Sequence, residues 1–358
     1  MSSSWGTNIE LSIFGESHGK AIGIIIGNLP AGIHLDMEDI RWNMKRRAPG
    51  QNKMSTARKE ADEFHIMSGV LDDVTTGAPL CAMIYNSDQH SKDYSLLKEC
   101  MRPGHSDYPA FIKYHGYNDV RGGGHFSGRI TAPIVFAGSV AKQILKQKGI
   151  VVGAHILSIK DVKDDRFPID IETKDMETLL KTQYPTLKPD VFQKMQQVIE
   201  EARMNQDSVG GKIECAILNV PAGIGNPFFD SIESHLSPLL FSIPAVKSVS
   251  FGLGESISEL YGHEANDCYY YDEDGHVKTK TNHNGGITGG ISNGMPIFFT
   301  VGIKPTPSIS QKQQTINIKT KENTELEITG RHDPCIVPRA VVVVESMAAL
   351  GILDMINK

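Results

Sequence analysis

The sequence predicts a mixed fold of β-strands and α-helices that is built from two similar halves. Two separate segments carry one pattern: a Gly-Lys pair, an apolar strand, a Pro-Ala-Gly turn, and then acidic residues of the kind that favour a helix start. The strands of the two copies lie at residues 22–26 and 213–218, and the turns lie at residues 29–33 and 220–224. Chance similarity around a Pro-Ala-Gly turn is the alternative. If the copies are related, we expect two halves arranged about a pseudo-twofold axis.

The other helices are predicted from apolar residues that recur at helical spacing. One follows a glycine-rich loop, with Thr131 as its expected N-cap and Pro133 in its first turn. Residues 161–206 are highly charged, and we interpret them as a peripheral pair of helices without evident chemistry. The last helix is expected at residues 338–355, with Arg339 near its start.

The composition limits the class of protein. The chain has 358 residues, which is long for one domain, although single-domain enzymes reach this size. Hydrophobic residues make up 40% of it, enough for a sizeable core. The formal net charge of -6 argues against a nucleic-acid partner, because a duplex-binding surface needs a basic stripe.

The cysteines and the two ends of the chain bear on its location in the cell. The five cysteines form no CxxC pair, which argues against a disulfide framework or a structural zinc site and favours a reducing compartment. Residues 1–15 lack the basic and apolar regions of a secretory signal peptide. Residues 340–356 are too short and too polar to span a bilayer. We therefore expect a soluble, cytoplasmic protein with no membrane partner.

Glycine is dense in four polar places: residues 15–19, 122–128 and 285–294, and Gly330. Glycine permits positive φ and a close approach of the backbone to a ligand. Ordinary tight turns in a β-rich protein are the alternative for any single cluster. Because each of the four carries basic or hydroxyl side chains, we interpret them together as loops around one ligand.

The most informative segment, residues 121–133, is a glycine-rich loop that runs into a helix start. Such a start offers unpaired N–H groups and the positive end of the helix dipole to an anion. Arg121 and Arg129 can add bidentate contacts to phosphate or carboxylate. No Gly-Lys-Ser/Thr closes the loop, so a small phosphorylated or carboxylated ligand is favoured over a nucleoside triphosphate.

Other arginines also adjoin turns rich in glycine and proline. They are Arg46, Arg47, Arg102 and Arg331, and Arg339 opens the last helix. A lone arginine is normally a solvated or salt-bridged surface residue. In an acidic protein, so many arginines on turns are less ordinary, and they indicate a substrate with several negative groups.

Histidine is the most plausible acid or base in this sequence. The 13 histidines include no HExxH or other paired ligand spacing, so no metal site is predicted. His18 and His105 each lie on a glycine-flanked turn, and the ordinary pKa of histidine, near 6.5, suits proton transfer at neutral pH. A structural histidine bonded to a turn carbonyl is an equally good interpretation of either residue.

Six motifs follow one another along the chain. They are Gly15-Glu-Ser-His-Gly19, Arg102-Pro-Gly-His105, the loop Gly-Gly-Gly-x-x-Ser-x-Arg129, Gly285-Gly-Ile-Thr-Gly-Gly-Ile-Ser-Asn-Gly294, Lys304-Pro-Thr306 and Gly330-Arg-His-Asp-Pro-Cys335. In this order they resemble the motifs of the chorismate synthases, from about Trp5 to the C-terminus. Each motif alone is moderate support, and six in order are strong.

The resemblance implies a redox-neutral lyase that requires reduced FMN. Its substrate would be 5-enolpyruvylshikimate 3-phosphate, a phosphorylated dicarboxylate, which is converted into chorismate and phosphate by an anti-1,4-elimination. This is the last common step of the shikimate pathway to aromatic amino acids. The resemblance also implies a homotetramer in which residues 1–358 form a single α+β domain, with helices sandwiched between antiparallel β-sheets.

The resemblance also assigns site residues, position by position. The expected flavin contacts are His125, Phe126, Ser127, Pro244, Ala245, Gly289, Lys304, Pro305, Thr306, Pro307, Ser308 and Arg331. The expected substrate contacts are Ser17, Arg46, Arg47, Arg102, Ser127, Arg129 and Arg339. The matching catalytic residues are His18 near the departing phosphate, His105 near the flavin, and Asp333, a carboxylate that assists proton transfer at flavin N5. Arg47 and Lys53 match positions associated with NADPH, which would be the source of reduction.

The glycine loop departs from the family's usual Gly-Gly-Gly-Arg-Ser-Ser-Ala-Arg. His125 and Phe126 replace the first Arg and the first Ser, and Gly128 replaces Ala, whereas Ser127 and Arg129 are kept. Anion contact is therefore expected to survive, but the side-chain contacts of residues 125 and 126 to the flavin are in question.

Two other functions remain open at this point. A net-redox flavoprotein such as a flavin reductase would consume NAD(P)H steadily. A flavin- or phosphate-binding protein without catalysis would bind and not turn over. The joint presence of His18, His105 and Asp333 argues against the second of these.

Overall fold

A five-stranded antiparallel sheet forms one outer layer of the molecule. The computed structural model describes residues 3–50, 62–86, 96–328 and 333–357. The strand order of this sheet is β1-β2-β3-β7-β4. Its strands are β1 (Ser4–Trp5), β2 (Glu10–Gly15), β3 (Ala21–Gly27), β4 (Phe64–Ser68) and β7 (Leu80–Tyr85), and a hairpin of β5 (Val70–Leu71) and β6 (Val74–Thr75) lies between β4 and β7 in the chain.

A second five-stranded antiparallel sheet lies on the other side, in the order β11-β16-β10-β8-β9. Its strands are β8 (Val151–Ile159), β9 (Val162–Lys163), β10 (Gly211–Leu218), β11 (Val246–Phe251) and β16 (Ile297–Ile303). Three two-stranded hairpins complete the described strands: β12 (Tyr269–Tyr271) with β13 (Val277–Thr279), β14 (Ile287–Thr288) with β15 (Ile291–Ser292), and β17 (Gln313–Asn317) with β18 (Glu322–Leu326).

Helices fill the space between the two large sheets. The described α-helices are α1 (Met37–Arg47), α2 (Asp107–Lys113), α3 (Thr131–Gln147), α4 (Thr173–Leu180), α5 (Pro189–Met204), α6 (Ile232–Ser242), α7 (Gly262–Ala265) and α8 (Val337–Ile356). Helix α3 packs on β3 and β7, helix α8 packs on β8 and β10, and the two helices pack on each other. Apolar side chains from both sheets and the central helices form one continuous core. The α+β sandwich expected from the sequence is therefore confirmed.

The two copies of the sequence pattern occupy equivalent places. β3 is followed by a turn and α1, and β10 is followed by a turn and α6; each strand is third in its own sheet. Asp36 caps α1 by accepting a hydrogen bond from the backbone N of Glu38 at 2.9 Å. Ser231 caps α6 in the same way, from the backbone N of Ser234 at 3.0 Å. The prediction of two similar halves holds at the level of these elements.

The charged segment between the halves is peripheral, as predicted. Helices α4 and α5 pack on β8, and α5 also contacts β9. Alternate residues of β8 enter different clusters: Val152 joins the central core, and Val151 joins a smaller cluster with Met176 of α4. Because helices cover both of its faces, every residue of β8 is buried.

The start of α3 differs from its prediction by one residue. Thr131 is the first helical residue rather than the N-cap, although Pro133 does lie in the first turn. A short 3₁₀ turn at Gly128–Ile130 precedes the helix, and Ser127 caps that turn by accepting from the backbone N of Arg129 at 3.3 Å. The Thr131 hydroxyl instead donates to the carbonyl of Gly128 at 2.6 Å.

A buried ion cluster joins three helices of the central layer. The carboxylate of Glu345 in α8 accepts two hydrogen bonds from Arg46 of α1, at 2.7 and 2.8 Å, and one from Lys142 of α3 at 3.0 Å. Arg46 is only 2% exposed and its charge is compensated within the core. Arg46 thus lies in the core, where its charge pairs with Glu345, and its expected contact with the substrate stays a prediction.

Helices α3 and α8 approach closely at Gly138. A Cβ atom built on Gly138 would lie 2.1 Å from the Cβ and 2.4 Å from the Cα of Ser346 in α8. Backbone atoms cannot move aside as a flexible side chain can, so the crossing requires glycine at this position.

No helix in the described ranges is long and apolar enough to cross a membrane.

We expect Gly138→Ala to lower the free energy of unfolding, although alanine is the better helix former by about 1 kcal/mol. Overpacking of a well-packed core typically costs roughly 1–3 kcal/mol. The matched control is Gly351→Ala in α8, where a new Cβ would meet only side-chain atoms of Leu236 and Leu239. Urea unfolding of both variants measures the effect. Stabilisation by Gly138→Ala would show that the two helices are not in close contact.

Candidate active site

A cavity of about 1460 Å³ lies where α3 and α8 begin and where α1 ends. The sequence-predicted residues that line it come from seven separate segments of the chain. They are His18, Arg47, Arg102, His105, His125, Phe126, Ser127, Arg129, Pro244, Ala245, Lys304, Thr306, Pro307, Ser308, Asp333 and Arg339. The structure therefore brings most of the predicted site together in one place.

The glycine loop separates the two predicted catalytic histidines. Gly122 and Gly123 have φ angles of 58° and 86°, in the left-handed region that favours glycine. A Cβ on Gly122 would lie 2.4 Å from Nδ1 of His18, and a Cβ on Gly123 would lie 3.5 Å from Nε2 of His105. The backbone of the loop can therefore pack directly against the ring of His18, and the loop also faces the ring of His105.

One buried carboxylate holds two of the predicted substrate arginines. Asp62 accepts a hydrogen bond from Nε of Arg47 at 2.7 Å and also pairs with Arg129. Burial of Asp62 disfavours its charge, but the charges of Arg47 and Arg129 outweigh burial and hold the pKa of its carboxyl below the usual range. Burial lowers the pKa of Arg47 to about 10, with Arg339 and Arg129 contributing and Asp62 opposing, so Arg47 remains charged at neutral pH.

Sequence reasoning missed Asp62. It lies 15 residues from Arg47 and 67 residues from Arg129 along the chain, so no local spacing connects the three. The remaining arginine at this end of the cavity, Arg339, pairs with Asp333 and donates from Nε to the carbonyl of Arg47 at 2.8 Å. Arg47, Arg129 and Arg339 thus form one connected cluster with two carboxylates.

Arg102 and His105 share a second buried carboxylate, Asp107. Its Oδ2 accepts from Nε of Arg102 at 2.7 Å, and its Oδ1 lies 2.7 Å from Nδ1 of His105. Nη1 of Arg102 donates to the hydroxyl of Ser308 at 3.2 Å. Burial lowers the pKa of His105, with Arg102 and Lys304 acting in the same direction and Asp107 opposing them. His105 is therefore neutral at physiological pH.

Residues 244–245 and 304–308 form another wall of the cavity, and these two segments meet through backbone contacts. The backbone N of Lys304 donates to the carbonyl of Ala245 at 3.0 Å, and the ammonium of Lys304 donates to the carbonyl of Gly104. Two buried hydroxyl oxygens at the site, those of Ser17 and Thr306, have no hydrogen-bond partner within the described part of the chain. Buried polar atoms of this kind are ordinarily satisfied, so the hydroxyl of Thr306, which lines the cavity, marks a place where a ligand group fits.

His125 has a structural partner on each ring nitrogen. Its Nδ1 lies 2.7 Å from the carbonyl oxygen of Gly15, and its Nε2 lies 3.0 Å from the hydroxyl of Ser3. His125, which replaces the first Arg of the usual family loop, thus connects the glycine loop to the first sheet. Phe126 is 39% exposed, and the centroid of its ring lies 6.2 Å from the ring centroid of Tyr114.

Several predicted residues do not line the cavity. Ser17 is fully buried behind it, and Arg46 lies in the helix layer as described above. Pro305 is exposed and, unlike its neighbours in the 304–308 segment, does not line the cavity. Gly289 lies at the turn between β14 and β15, where an added Cβ would meet open space. Lys53 and Arg331 lie outside the described residues.

The chain is similar over its whole length to proteins of one family. Residues 9–356 match the sequence model of the family described as chorismate synthase. The chorismate synthase of Methanocaldococcus jannaschii is 44% identical, covering 99% of this chain and 96% of that protein. That of Lachnoclostridium phytofermentans is 46% identical, covering 99% of this chain and 95% of that protein. A solved structure described as a crystal structure of chorismate synthase has a TM-score of 0.76 and 27% identity, covering 98% of this chain and 92% of that one.

We expect Asp62→Asn to destabilise the chain by about 3–5 kcal/mol at pH 7, because two buried arginines lose their shared carboxylate. The pKa of Asp62 is lowered in the folded state, so its contribution is present above its unfolded pKa and is lost as the pH falls through its folded pKa. The difference in unfolding free energy between wild type and variant should therefore shrink on acidification below about pH 4.

Urea unfolding across this pH range measures that difference. Glu200→Gln, which removes a surface partner of Arg203, is the matched control and should change stability little. A loss for Asp62→Asn that is small at pH 7, or independent of pH, would contradict the buried pairing.

Proposed function

This chain belongs to the chorismate synthase family, a family of carbon–oxygen lyases, and from this premise we propose that the cavity at the starts of α3 and α8 is its active site. The reaction proposed for it is the anti-1,4-elimination of phosphate from 5-enolpyruvylshikimate 3-phosphate to give chorismate. The convergence of Arg47, Arg102, Arg129 and Arg339 on one cavity carries the proposal.

These four arginines suit a substrate with a phosphate and two carboxylates. Arg47, Arg102 and Arg129 are each no more than 6% exposed, and a buried guanidinium makes charge-assisted, bidentate hydrogen bonds to anions. Lys247 and Lys304 also line the cavity, and its cationic side chains outnumber the carboxylates. The first turns of α3 and α8 add the positive ends of two helix dipoles. We assign the substrate contacts to the four arginines, with Ser17 and Ser127 beside them.

A second ligand also fits this cavity. Its volume of about 1460 Å³ exceeds the roughly 300–1,000 Å³ of ordinary small-molecule pockets, which allows a cofactor and a substrate side by side. Apolar surface from Pro244, Ala245 and Ile328 can cover a flat ring system, and the unpartnered hydroxyl of Thr306 can bond a polar edge. We propose reduced FMN as this ligand, held by residues 125–127, 244–245 and 304–308. When bound, a reduced flavin would supply transient electron donation to the substrate, and the electron would return with the hydrogen atom that is removed, so that no net redox change results.

The proton-handling groups are assigned to His18, His105 and Asp333. The neutral ring of His105 faces the glycine loop with Nε2 and can accept or return a proton there. His18 lies against Gly122 of the loop and lines the cavity, where it can support the departing phosphate. Asp333 pairs with Arg339 at the start of α8, and this pairing orients its carboxylate at the cavity wall.

Three further properties complete the proposal. NADPH is the proposed source of reduction, with Arg47 and Lys53 as its contacts by family resemblance. A homotetramer is supported by exposed aromatic side chains such as Phe228 and Phe229, 85% and 94% exposed, because exposed apolar surface favours association. A cytoplasmic location is supported by the cysteines, since all five are free thiols.

The flavin-reductase alternative has no support from the relatives described above, which are named chorismate synthases. The site does not favour it either. Four arginines suit a polyanionic substrate, whereas hydride transfer by itself does not require so many cations. The product of the reaction distinguishes the two, since only the lyase releases phosphate.

We expect Arg129→Ala to weaken substrate binding by roughly 1.5–3 kcal/mol, about 10- to 150-fold, because one charge-assisted hydrogen bond to a buried anion is lost. FMN binding should change much less. Phosphate release by the wild-type chain with substrate and reduced FMN, without oxygen, establishes the reference activity, and titration of each ligand measures the effect.

The matched control is Arg121→Ala in the same glycine loop. Arg121 is exposed, pairs with Asp119 and does not line the cavity, so both affinities should stay near the wild-type values. Equal losses of flavin and substrate affinity in Arg129→Ala would place Arg129 elsewhere in the site.

A further inference from the structure

Asp107, the first residue of α2, engages two groups of the cavity with one carboxylate. Its side chain is 5% exposed. Oδ2 accepts hydrogen bonds from Nε and from the backbone N of Arg102, at 2.7 and 3.1 Å. Oδ1 accepts from Nη2 of Arg102 at 2.8 Å and lies 2.7 Å from Nδ1 of His105. Both oxygens are therefore occupied by groups that line the cavity.

We infer that Asp107 is a positioning residue that fixes the tautomer of His105 and the orientation of Arg102 together. The inference rests on the proposed function in one respect, that His105 exchanges a proton during the reaction. An ionised carboxylate only accepts hydrogen bonds, so Nδ1 of His105 carries the hydrogen and Nε2 is left as the acceptor. Nε2 is the nitrogen that faces Gly123 across the cavity wall.

The charge state of each partner agrees with this arrangement. Burial of Asp107 disfavours its charge, but hydrogen bonds from Arg102 and His105 outweigh burial and hold its pKa far below the usual range. Asp107 is therefore a carboxylate at every working pH. Burial, Arg102 and Lys304 lower the pKa of His105 while Asp107 raises it. The resting pair is thus a carboxylate and a neutral imidazole, with the free ring nitrogen toward the ligands.

A merely structural carboxylate would hold the turn at residues 102–107 and leave the protonation of His105 unchanged. A positioning carboxylate makes two further demands. Its removal lets the ring adopt either tautomer, which removes the base from a fraction of molecules. Its removal also takes away the interaction that raises the pKa of His105, so the ring should titrate at lower pH.

The decisive experiment is ¹⁵N NMR of the histidine rings in the full chain, with the His105 signals assigned by their loss in His105→Gln. In the wild type we expect a protonated Nδ1 and an unprotonated Nε2 at neutral pH. In Asp107→Asn we expect mixed tautomers and a titration midpoint at lower pH. A wild-type ring protonated at Nε2, or a titration unmoved by Asp107→Asn, would overturn the inference.

Kinetic measurements distinguish a positioning role of Asp107 from a merely structural one. An acid–base group contributes roughly 10²–10⁴-fold to kcat, and Asp107→Asn should lower kcat by no more than this factor. In the plot of kcat against pH, the variant should shift the acid limb to lower pH. In a His105→Ala background, Asp107→Asn should cause no further loss of kcat, and only the effect on KM through Arg102 should remain. Losses that multiply in the double variant would contradict action through His105.

The control variant is Asp272→Asn. Asp272 lies beside β12, and its carboxylate is 3.5 Å from the exposed ring of His276. This pair lies outside the cavity, so the loss of the carboxylate should leave kcat unchanged. If Asp107→Asn fails to fold, the wild-type tautomer alone still decides the inference. Full activity of His105→Ala would instead refute the proposed role of His105, while the NMR result would still report whether Asp107 sets its tautomer.

Discussion

The contact of Gly138 in α3 with Ser346 in α8 determines where the active site can lie. Each residue lies roughly 10–13 Å, two to three turns, beyond the start of its helix. The helices touch there, and the first turns of both line the same cavity. Arg129 precedes the first helix, and Asp333 and Arg339 flank the start of the second. The site is thus assembled by the packing of two helices whose side chains are almost all buried.

Carboxylates from the same chain then organise the cations of this site. Asp62 holds Arg47 and Arg129, Asp107 holds Arg102, and Asp333 pairs with Arg339. Four guanidinium groups brought together without these partners would repel one another, and their burial would be costly. With them, the arginines keep fixed orientations before any ligand arrives. Preorganised charge of this kind favours binding of a polyanion beside an electron-rich cofactor.

The sequence predicted the fold well where local chemistry decides structure. The Pro-Ala-Gly turns and the acidic residues after them marked two equivalent strand–turn–helix units, and the structure contains both. The glycine loop also lies where its sequence placed it, beside a helix start. Gly122 has a φ of 58° and the ring of His18 lies against it, so a side chain at this position would be strained and would collide with the ring.

The sequence could not show which side chains reach the cavity where tertiary packing decides it. Arg46 and Arg47 are neighbours in one motif, but successive residues of a helix point about 100° apart. One side chain therefore reaches Glu345 in the core, and the other reaches Asp62 at the cavity. The partner of Arg47 and Arg129 is invisible in the sequence for the same reason: Asp62 meets both arginines only through the tertiary fold.

We propose a lyase that uses a flavin without consuming electrons, and one stoichiometry tests this proposal most directly. Enzyme-bound FMN is reduced once under anaerobic conditions, excess reductant is removed, and chorismate is counted against the electron pairs supplied. We expect many molecules of product for each electron pair and none with oxidised FMN. Consumption of one electron pair for each product molecule would contradict it and would leave a net-redox flavoprotein in its place.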